Sequence, residues 1–251
     1  MCNLDRVAVI SDIHGNIPAL EAVLQDINSR HADKIICLGD LVGKGPYPDI
    51  AVDIIREKCD IVLMGNWDDM VTRPSDKELI AWARSRIGAE RIDYLKSLPF
   101  STDFLLSGRL VRLLHASPQS VHHRVFWGNP IEKLHGMFDN TPMTGGGDRR
   151  PDIVGYGDIH GAYIMNFEEI GNRVLFNVGS VGNSLDSTLA SYAIVEGNYG
   201  QQEQSSFSIN FVRVPYDIEL SIEQATKSGM PGLEPYIVEL RTARYRGAAK
   251  Q

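Results

Sequence analysis

Five short stretches of this chain place a metal-competent side chain directly after an apolar run. They are Asp12-Ile13-His14, Gly39-Asp40, Gly65-Asn66, Leu114-His115 and Gly157-Asp158-Ile159-His160. Their donors are carboxylate, imidazole and amide oxygen, with no thiolate among them, a set suited to first-row divalent ions. In Asp-x-His, an extended segment sends side chains i and i+2 to the same side, so both can grip one ion. Singly, each stretch has a plainer reading. Asp12 and Asn66 read as helix N-caps, Asp40 as a turn residue behind Gly39, His115 as a hydrogen-bonded core histidine and His160-Gly161 as a turn. Jointly the plainer reading fails, because it must explain why five strand ends all supply a nitrogen or oxygen ligand.

The elements that would position these residues are legible in the hydrophobic pattern. Val7 to Ile10 is a β-branched strand, and Leu20, Val23, Leu24 and Ile27 recur at helical spacing within Pro18 to Arg30. Lys34 to Leu38 forms a second strand, Tyr47 to Cys59 a second helix, and Ile61 to Met64 a third strand. This βαβαβ order predicts parallel pairing with helices over the sheet. Ligands of such sheets bind beyond the carboxyl ends of the strands, where the five stretches fall. Arg73 to Leu98 reads as helix, and Leu105 to Leu114 as a hairpin turning at Ser107-Gly108. Strands are expected at Ile153 to Tyr156, Arg173 to Asn177, Ser191 to Glu196 and Phe207 to Val214, with helices closing the chain. Ser117 to Asp148 differs: Pro118, His122-His123, Phe126, Trp127 and Gly145-Gly146-Gly147 mark an insertion lying over something, with part of it mobile.

Composition narrows the class. With 251 residues, 43% hydrophobic and 23% charged, the chain suits one globular domain that buries its own core. Cys2, Cys37 and Cys59 are odd in number and lack metal-type spacing, so neither a disulfide framework nor a thiolate site is implied; Cys37 reads as core filling. The polar start, Met1 to Arg6, reads as no signal peptide, and no apolar stretch reaches the roughly 20 residues of a membrane span. Together these lead to the expectation of a cytoplasmic protein. A net charge of −7 argues against nucleic acid and acidic membranes as partners, but not against a small anionic substrate. A metal pair can supply positive charge locally. Gly-x-Ser-x-Gly, Walker and Rossmann glycine signatures are absent, leaving hydrolysis by metal as the best class.

The order of motifs resembles the calcineurin-like metallophosphoesterase superfamily, with its D-x-H, G-D, G-N-x-[D/E], lone His and G-H-x-H. Here these are Asp12/His14, Gly39-Asp40, Gly65-Asn66-Trp67-Asp68, His115 and Gly157-Asp158-Ile159-His160. The likeness spans roughly residues 7–195, and Asn177 to Gly182 looks like the glycine-rich strand end of the small prokaryotic branch. The resemblance implies that Asp12, His14 and His160 bind one metal, that Asp40 bridges, and that Asn66, His115 and Asp158 bind the second. It implies catalytic roles for Asp40, Asn66 and His115, and an α/β fold: a two-sheet α/β/β/α sandwich with a helical and loop insertion near the active edge.

Two departures matter. The superfamily has His where this chain has Asp158; a carboxylate there favours harder ions, so Mn²⁺ is expected ahead of Fe, Ni or Zn²⁺. The alternative is that Asp158 only contacts a ligand from behind. Phosphoprotein and dinucleoside-tetraphosphate phosphatases also carry a His after the motif Asn and an Asp orienting it; Trp67 and Gly43 replace both here. Lys44 stands where those relatives hold phosphate with Arg, and is read either as a phosphate contact or as a solvated lysine. His122 and His123 are read as a proton donor on a lid, beside an aromatic platform, or as ordinary packing. Asn16 contacts substrate or caps a helix.

The expectation is a single domain over 1–251: a core of about 7–215, insertions near 72–98 and 117–150, and a C-terminal helical segment from about 216. Its activity is metal-dependent hydrolysis of a phosphomonoester or phosphodiester, by a hydroxide bridging two ions roughly 3.5–4 Å apart. The alternative is a metal- or partner-binding scaffold of the same fold with little turnover.

Overall fold

The computed structural model describes residues 4–247. Cys2 and the ends of the chain lie outside the described residues. The first third follows the predicted alternation: β1 (Asp5–Ile10), α1 (Ile17–Ser29), β2 (Lys34–Cys37), α2 (Pro48–Lys58) and β3 (Ile61–Val62). β3 is shorter than expected, because Met64 leaves the ladder and donates its N–H to the Pro99 carbonyl. A short helix the pattern does not show, α3 (Asn66–Val71), follows directly. The helical stretch expected over Arg73 to Leu98 is two helices, α4 (Glu78–Ile87) and α5 (Ala89–Lys96). Gly88 divides them at φ 78°, a backbone conformation an L side chain resists.

The hairpin is β4 (Ser101–Leu106) and β5 (Arg109–Leu114). Ser107 and Gly108 both have positive φ, as a two-residue turn matched to strand twist requires. After it come α6 (Ile131–His135), β6 (Ile153–Tyr156), β7 (Tyr163–Phe167), β8 (Arg173–Asn177), β9 (Ala190–Gly197), β10 (Ser208–Val214), α7 (Ile218–Ser228) and α8 (Leu233–Thr242). β7 carries too weak an alternation to be read from sequence; it is an edge strand, antiparallel to β8.

Two five-stranded sheets result, ordered β10-β9-β1-β2-β3 and β4-β5-β6-β8-β7. β1, β2 and β3 are parallel in the first, and β5, β6 and β8 in the second. Alternation along each strand divides the core. Val7 and Val9 meet Val111, Leu113 and Ile153 between the sheets, whereas Ala8 and Ile10 face Leu20, Val23 and Val52 of the helices. On the outer face of the second sheet, Leu134, Met137 and Phe138 of the insertion cover Val154, Tyr156 and Leu175. The architecture is the expected α/β/β/α sandwich, and all six parallel strands present their carboxyl ends along one edge. Cys37 is buried in the core as expected. Among the described residues no helix is long and apolar enough to cross a membrane.

Candidate metal centre

Asp12 and His14 follow β1, Asp40 follows β2, Asn66 follows β3, His115 follows β5, and Asp158 and His160 follow β6. The loops carrying them are welded to one another. Asp12 donates its N–H to the Gly39 carbonyl at 2.9 Å, His14 to Asp40 at 3.0 Å, and Gly182 to Asp12 at 2.9 Å. A side chain at Gly39 would collide with the Gly65 backbone, and one at Gly157 with Ser11 and the Asp12 carboxylate, so the loops converge only because these positions lack one. Asp12 and His14 do converge, but not as neighbours on an extended segment. Their φ values are 56° and 50°, and Asp40, Lys44, Asp158 and His160 are also left-handed. Positive φ at so many non-glycine residues costs free energy and is concentrated where side chains must be aimed.

Two groups of donors form. Asp12, His14 and His160 make one, and Asp12, Asp40 and His115 the other. His14 Nε2 lies 3.7 Å from Asp12 Oδ1 and 3.8 Å from Asp40 Oδ2, and His115 Nε2 lies 3.5 Å from Asp40 Oδ1. Asp40 therefore touches both groups. All of these residues except Asn66 are at most 4% exposed.

The tautomers follow from the backbone. Nδ1 of His14 lies 2.9 Å from the Val42 carbonyl, Nδ1 of His115 3.0 Å from that of Leu38, and Nδ1 of His160 2.6 Å from that of Asn183. A carbonyl only accepts, so each Nδ1 carries the hydrogen, and in the neutral form of each ring Nε2 turns a lone pair inward. Acceptors then face acceptors. His14 Nε2 is 3.2 Å from His160 Nε2, and His115 Nε2 is 3.0 Å from Asn66 Oδ1. Asp12 Oδ1, fully buried, makes no hydrogen bond, although His160 Nε2 lies 3.2 Å away. A cluster of lone pairs without donors is unstable unless cations fill it, so the residues fit divalent metals.

The same crowding moves pKa values. Burial pushes Asp40 well above the usual carboxylate range, and the charges of Asp12 and Asp68 push it further. Burial also opposes the charged form of Asp12, but the nearby His160, then His115 and His14, carry it below its ordinary value. Burial, then the charges of His160 and Lys44, holds His14 well below its usual range and keeps its lone pair available.

Asp158 has a different partner from the one expected. Its carboxylate is gripped by Arg124 of the insertion, with Nε 3.0 Å from Oδ2 and Nη2 2.9 Å from Oδ1, and it belongs to neither donor group. Its backbone N–H donates to Asp12 Oδ2 at 3.0 Å. Lys44 is held by Asn183 Oδ1 at 2.6 Å and Glu239 Oε2 at 3.2 Å, and is no solvated lysine; burial lowers its pKa, against Glu239. Asn16 is the N-cap of α1: its Oδ1 accepts from Ala19 N–H and Ser221 Oγ, and its Nδ2 donates to the Gly182 carbonyl. Fully buried, it is turned into the fold and does not line the cavity. His122 bonds Asp69 Oδ2 at 2.9 Å and His123 bonds Ser117 Oγ at 3.0 Å, and neither lines the cavity over the cluster. Arg124 and Phe126 do, one and three residues beyond His123 in the same insertion.

Sequence reasoning missed three residues that build the site. Asp68 accepts backbone N–H groups from Asp40, Leu41 and Gly65 at 2.8–3.0 Å, tying the loop after β2 to the loop after β3. Burial pushes its pKa up to about 6, against the N–H groups that favour its charged form. Its place in Gly65-Asn66-Trp67-Asp68 was the available signal. Arg124 and Glu239 carried none, since their partners lie 34 and 195 residues away.

A family model described as calcineurin-like phosphoesterase matches residues 5–199. An uncharacterized protein of Methanocaldococcus jannaschii is 33% identical over 248 residues, spanning 90% of this chain and 93% of that one. A metallophosphoesterase from Sphaerobacter thermophilus, 27% identical, superposes with a TM-score of 0.76 over 96% of this chain and all of its own. A hypothetical protein from Pyrococcus horikoshii OT3, 18% identical, shares the fold with a TM-score of 0.73 over 97% of this chain and 99% of that one.

Proposed function

This chain belongs to the calcineurin-like phosphoesterase family, and from that premise we propose that it hydrolyses phosphate esters at a pair of divalent ions, with Mn²⁺ the preferred metal. The observation that carries the reading is the cluster of facing acceptors, three Nε2 lone pairs and the unpartnered Asp12 Oδ1. Asp12, His14 and His160 would hold one ion, and Asp40, Asn66 and His115 the other, with both carboxylates within reach of the two sets. With Asp158 engaged by Arg124, the preference rests on the oxygen donors Asp12, Asp40 and Asn66 beside three imidazoles, with no thiolate to select a softer ion. When bound, such a pair supplies Lewis acidity and an activated water for in-line attack at phosphorus.

The chain's own residues do the rest. The backbone carbonyls of Leu38, Val42 and Asn183 fix each imidazole tautomer and orientation, so the ligands are aimed before any metal arrives. The backbone N–H of Trp67 donates to Asp40 Oδ1 at 2.8 Å and holds that carboxylate beside the two groups. Arg124 and Lys44 present cations on the wall of the cavity above, where a phosphate would sit. No Ser, Cys or Thr nucleophile is required.

The test is metal analysis beside turnover. Protein stripped by chelation should lose hydrolysis of p-nitrophenyl phosphate and of bis(p-nitrophenyl) phosphate, and regain it on titration with Mn²⁺, saturating near two ions per chain. Two ions bound with no turnover on any phosphate ester would leave the scaffold reading standing instead.

A further inference from the structure

The cavity above the cluster has a volume of about 460 Å³, within the roughly 300–1,000 Å³ usual for small-molecule sites. Its wall combines two features. The first is a pair of cations, each already oriented by a buried carboxylate. Arg124 is fixed by Asp158, whose side chain is 3% exposed, and Lys44 by Glu239, whose side chain is 5% exposed. Arg124 spends Nε and Nη2 on that carboxylate, and its Nη1 makes no hydrogen bond among the described residues. That leaves donors on a half-exposed guanidinium for an anion in the cavity.

The second feature is aromatic. Trp67 stands edge-on to His14 with ring centroids 6.1 Å apart, so its indole begins at the metal cluster itself. Phe126 is 41% exposed at the mouth. Tyr245, which follows α8, is half exposed, with Lys44 Nζ 5.6 Å from its ring centre. Cations and metals alone suffice for phosphate and need no rings beside them. Three rings lining the cavity offer flat apolar area, which remains costly in water unless a planar group covers it.

We propose that the site takes a nucleotide. Its phosphate lies between Lys44 and Arg124, and its base lies against Trp67 and Phe126. The proposal deepens the phosphoesterase reading and rests on it for catalysis, though not for binding. Aromatic walls accept any base by its π face, so the preference is for a nucleobase over none rather than for one base over another.

Kinetics on the full chain with Mn²⁺ restored and binding on the metal-free full chain test it separately. AMP is compared with ribose phosphate as a monoester pair, and p-nitrophenyl thymidylate with methyl p-nitrophenyl phosphate as a diester pair. The base-bearing member of the hydrolysed pair should show kcat/KM higher by at least about 10-fold, as one base–aromatic stack provides. Phe126→Ala, which removes an exposed ring, should narrow that ratio by roughly the same order. In metal-free protein AMP should quench tryptophan fluorescence saturably, ribose phosphate should not, and Trp67→Leu should abolish the quench. Equal kcat/KM within the hydrolysed pair, with a ratio unmoved by Phe126→Ala, overturns the nucleotide assignment and leaves hydrolysis intact. If no ester is hydrolysed, the phosphoesterase reading falls, and the quench alone decides the base pocket: absence of quenching by AMP refutes it.

Discussion

The floor and the rim of this site are built on opposite principles. On the floor, Asp12, His14, Asp40, His115 and His160 are almost fully buried, hang from the carboxyl ends of parallel strands, and have their imidazoles tied to backbone carbonyls. On the rim, Arg124, Phe126 and Tyr245 are substantially exposed and come from segments outside both sheets, reaching the cavity through side-chain pairings. Backbone hydrogen bonds within a sheet sandwich fix positions to fractions of an ångström. A salt bridge between an insertion and a loop is weaker, screened where it meets water, and tolerant of replacement. On the proposed function, chemistry that needs fixed distances would sit on the floor, and selection among esters of the same phosphate would fall to the rim.

Asp40→Asn should separate the two regions most sharply. It keeps side-chain shape but removes the carboxylate that belongs to one donor group and comes within 3.8 Å of His14 in the other, so turnover should fall by more than the roughly 100-fold that outer partners of ligands cost. The thermal midpoint of the metal-free protein should not drop, because a buried carboxylate already pushed toward its neutral form is being replaced by a neutral group. Near-normal turnover would reduce Asp40 to a turn residue. Asp68→Ala should be next in size. It leaves three buried N–H groups without an acceptor, for a loss of about 3 kcal/mol or more in denaturant unfolding, with weaker metal binding because the loops after β2 and β3 come apart. Unchanged stability would mean that the floor does not depend on this weld.

The smallest effect should come from the rim. Asp158→Ala frees Arg124, whose side chain is 47% exposed, so the coupling lost is about 1 kcal/mol, or roughly fivefold in KM with kcat less affected. Asp158→His should behave as Asp158→Ala does in metal titrations, since the carboxylate is spent on Arg124. A drift of metal preference in Asp158→His alone, away from Mn²⁺ toward Zn²⁺, would return position 158 to the ligand set and erase the boundary between floor and rim.

How much of this could be read in advance divides along the same line. Strand ends were legible because a short continuous apolar run that stops at Gly-Asp or Gly-Asn announces both a buried strand and what projects from its end. β7 and α3 were not, the first because an edge strand needs little alternation, the second because six residues are too few to show a helical period. The expectation that Asp12 and His14 share a face by extended geometry missed the left-handed backbone, since φ here is imposed by hydrogen bonds to the loop after β2.

Residue type and order alone determined the sandwich, its parallel strands and the set of nitrogen and oxygen donors at its carboxyl edge, because periodicity and short motifs are local properties of a chain. Only the tertiary structure decided that Asn16 is a cap, that His122 and His123 stand aside, and that Arg124 takes Asp158 while Glu239 takes Lys44. Those choices pair residues tens to hundreds of positions apart, and a side chain with several available partners takes the one that folding brings within about 3 Å.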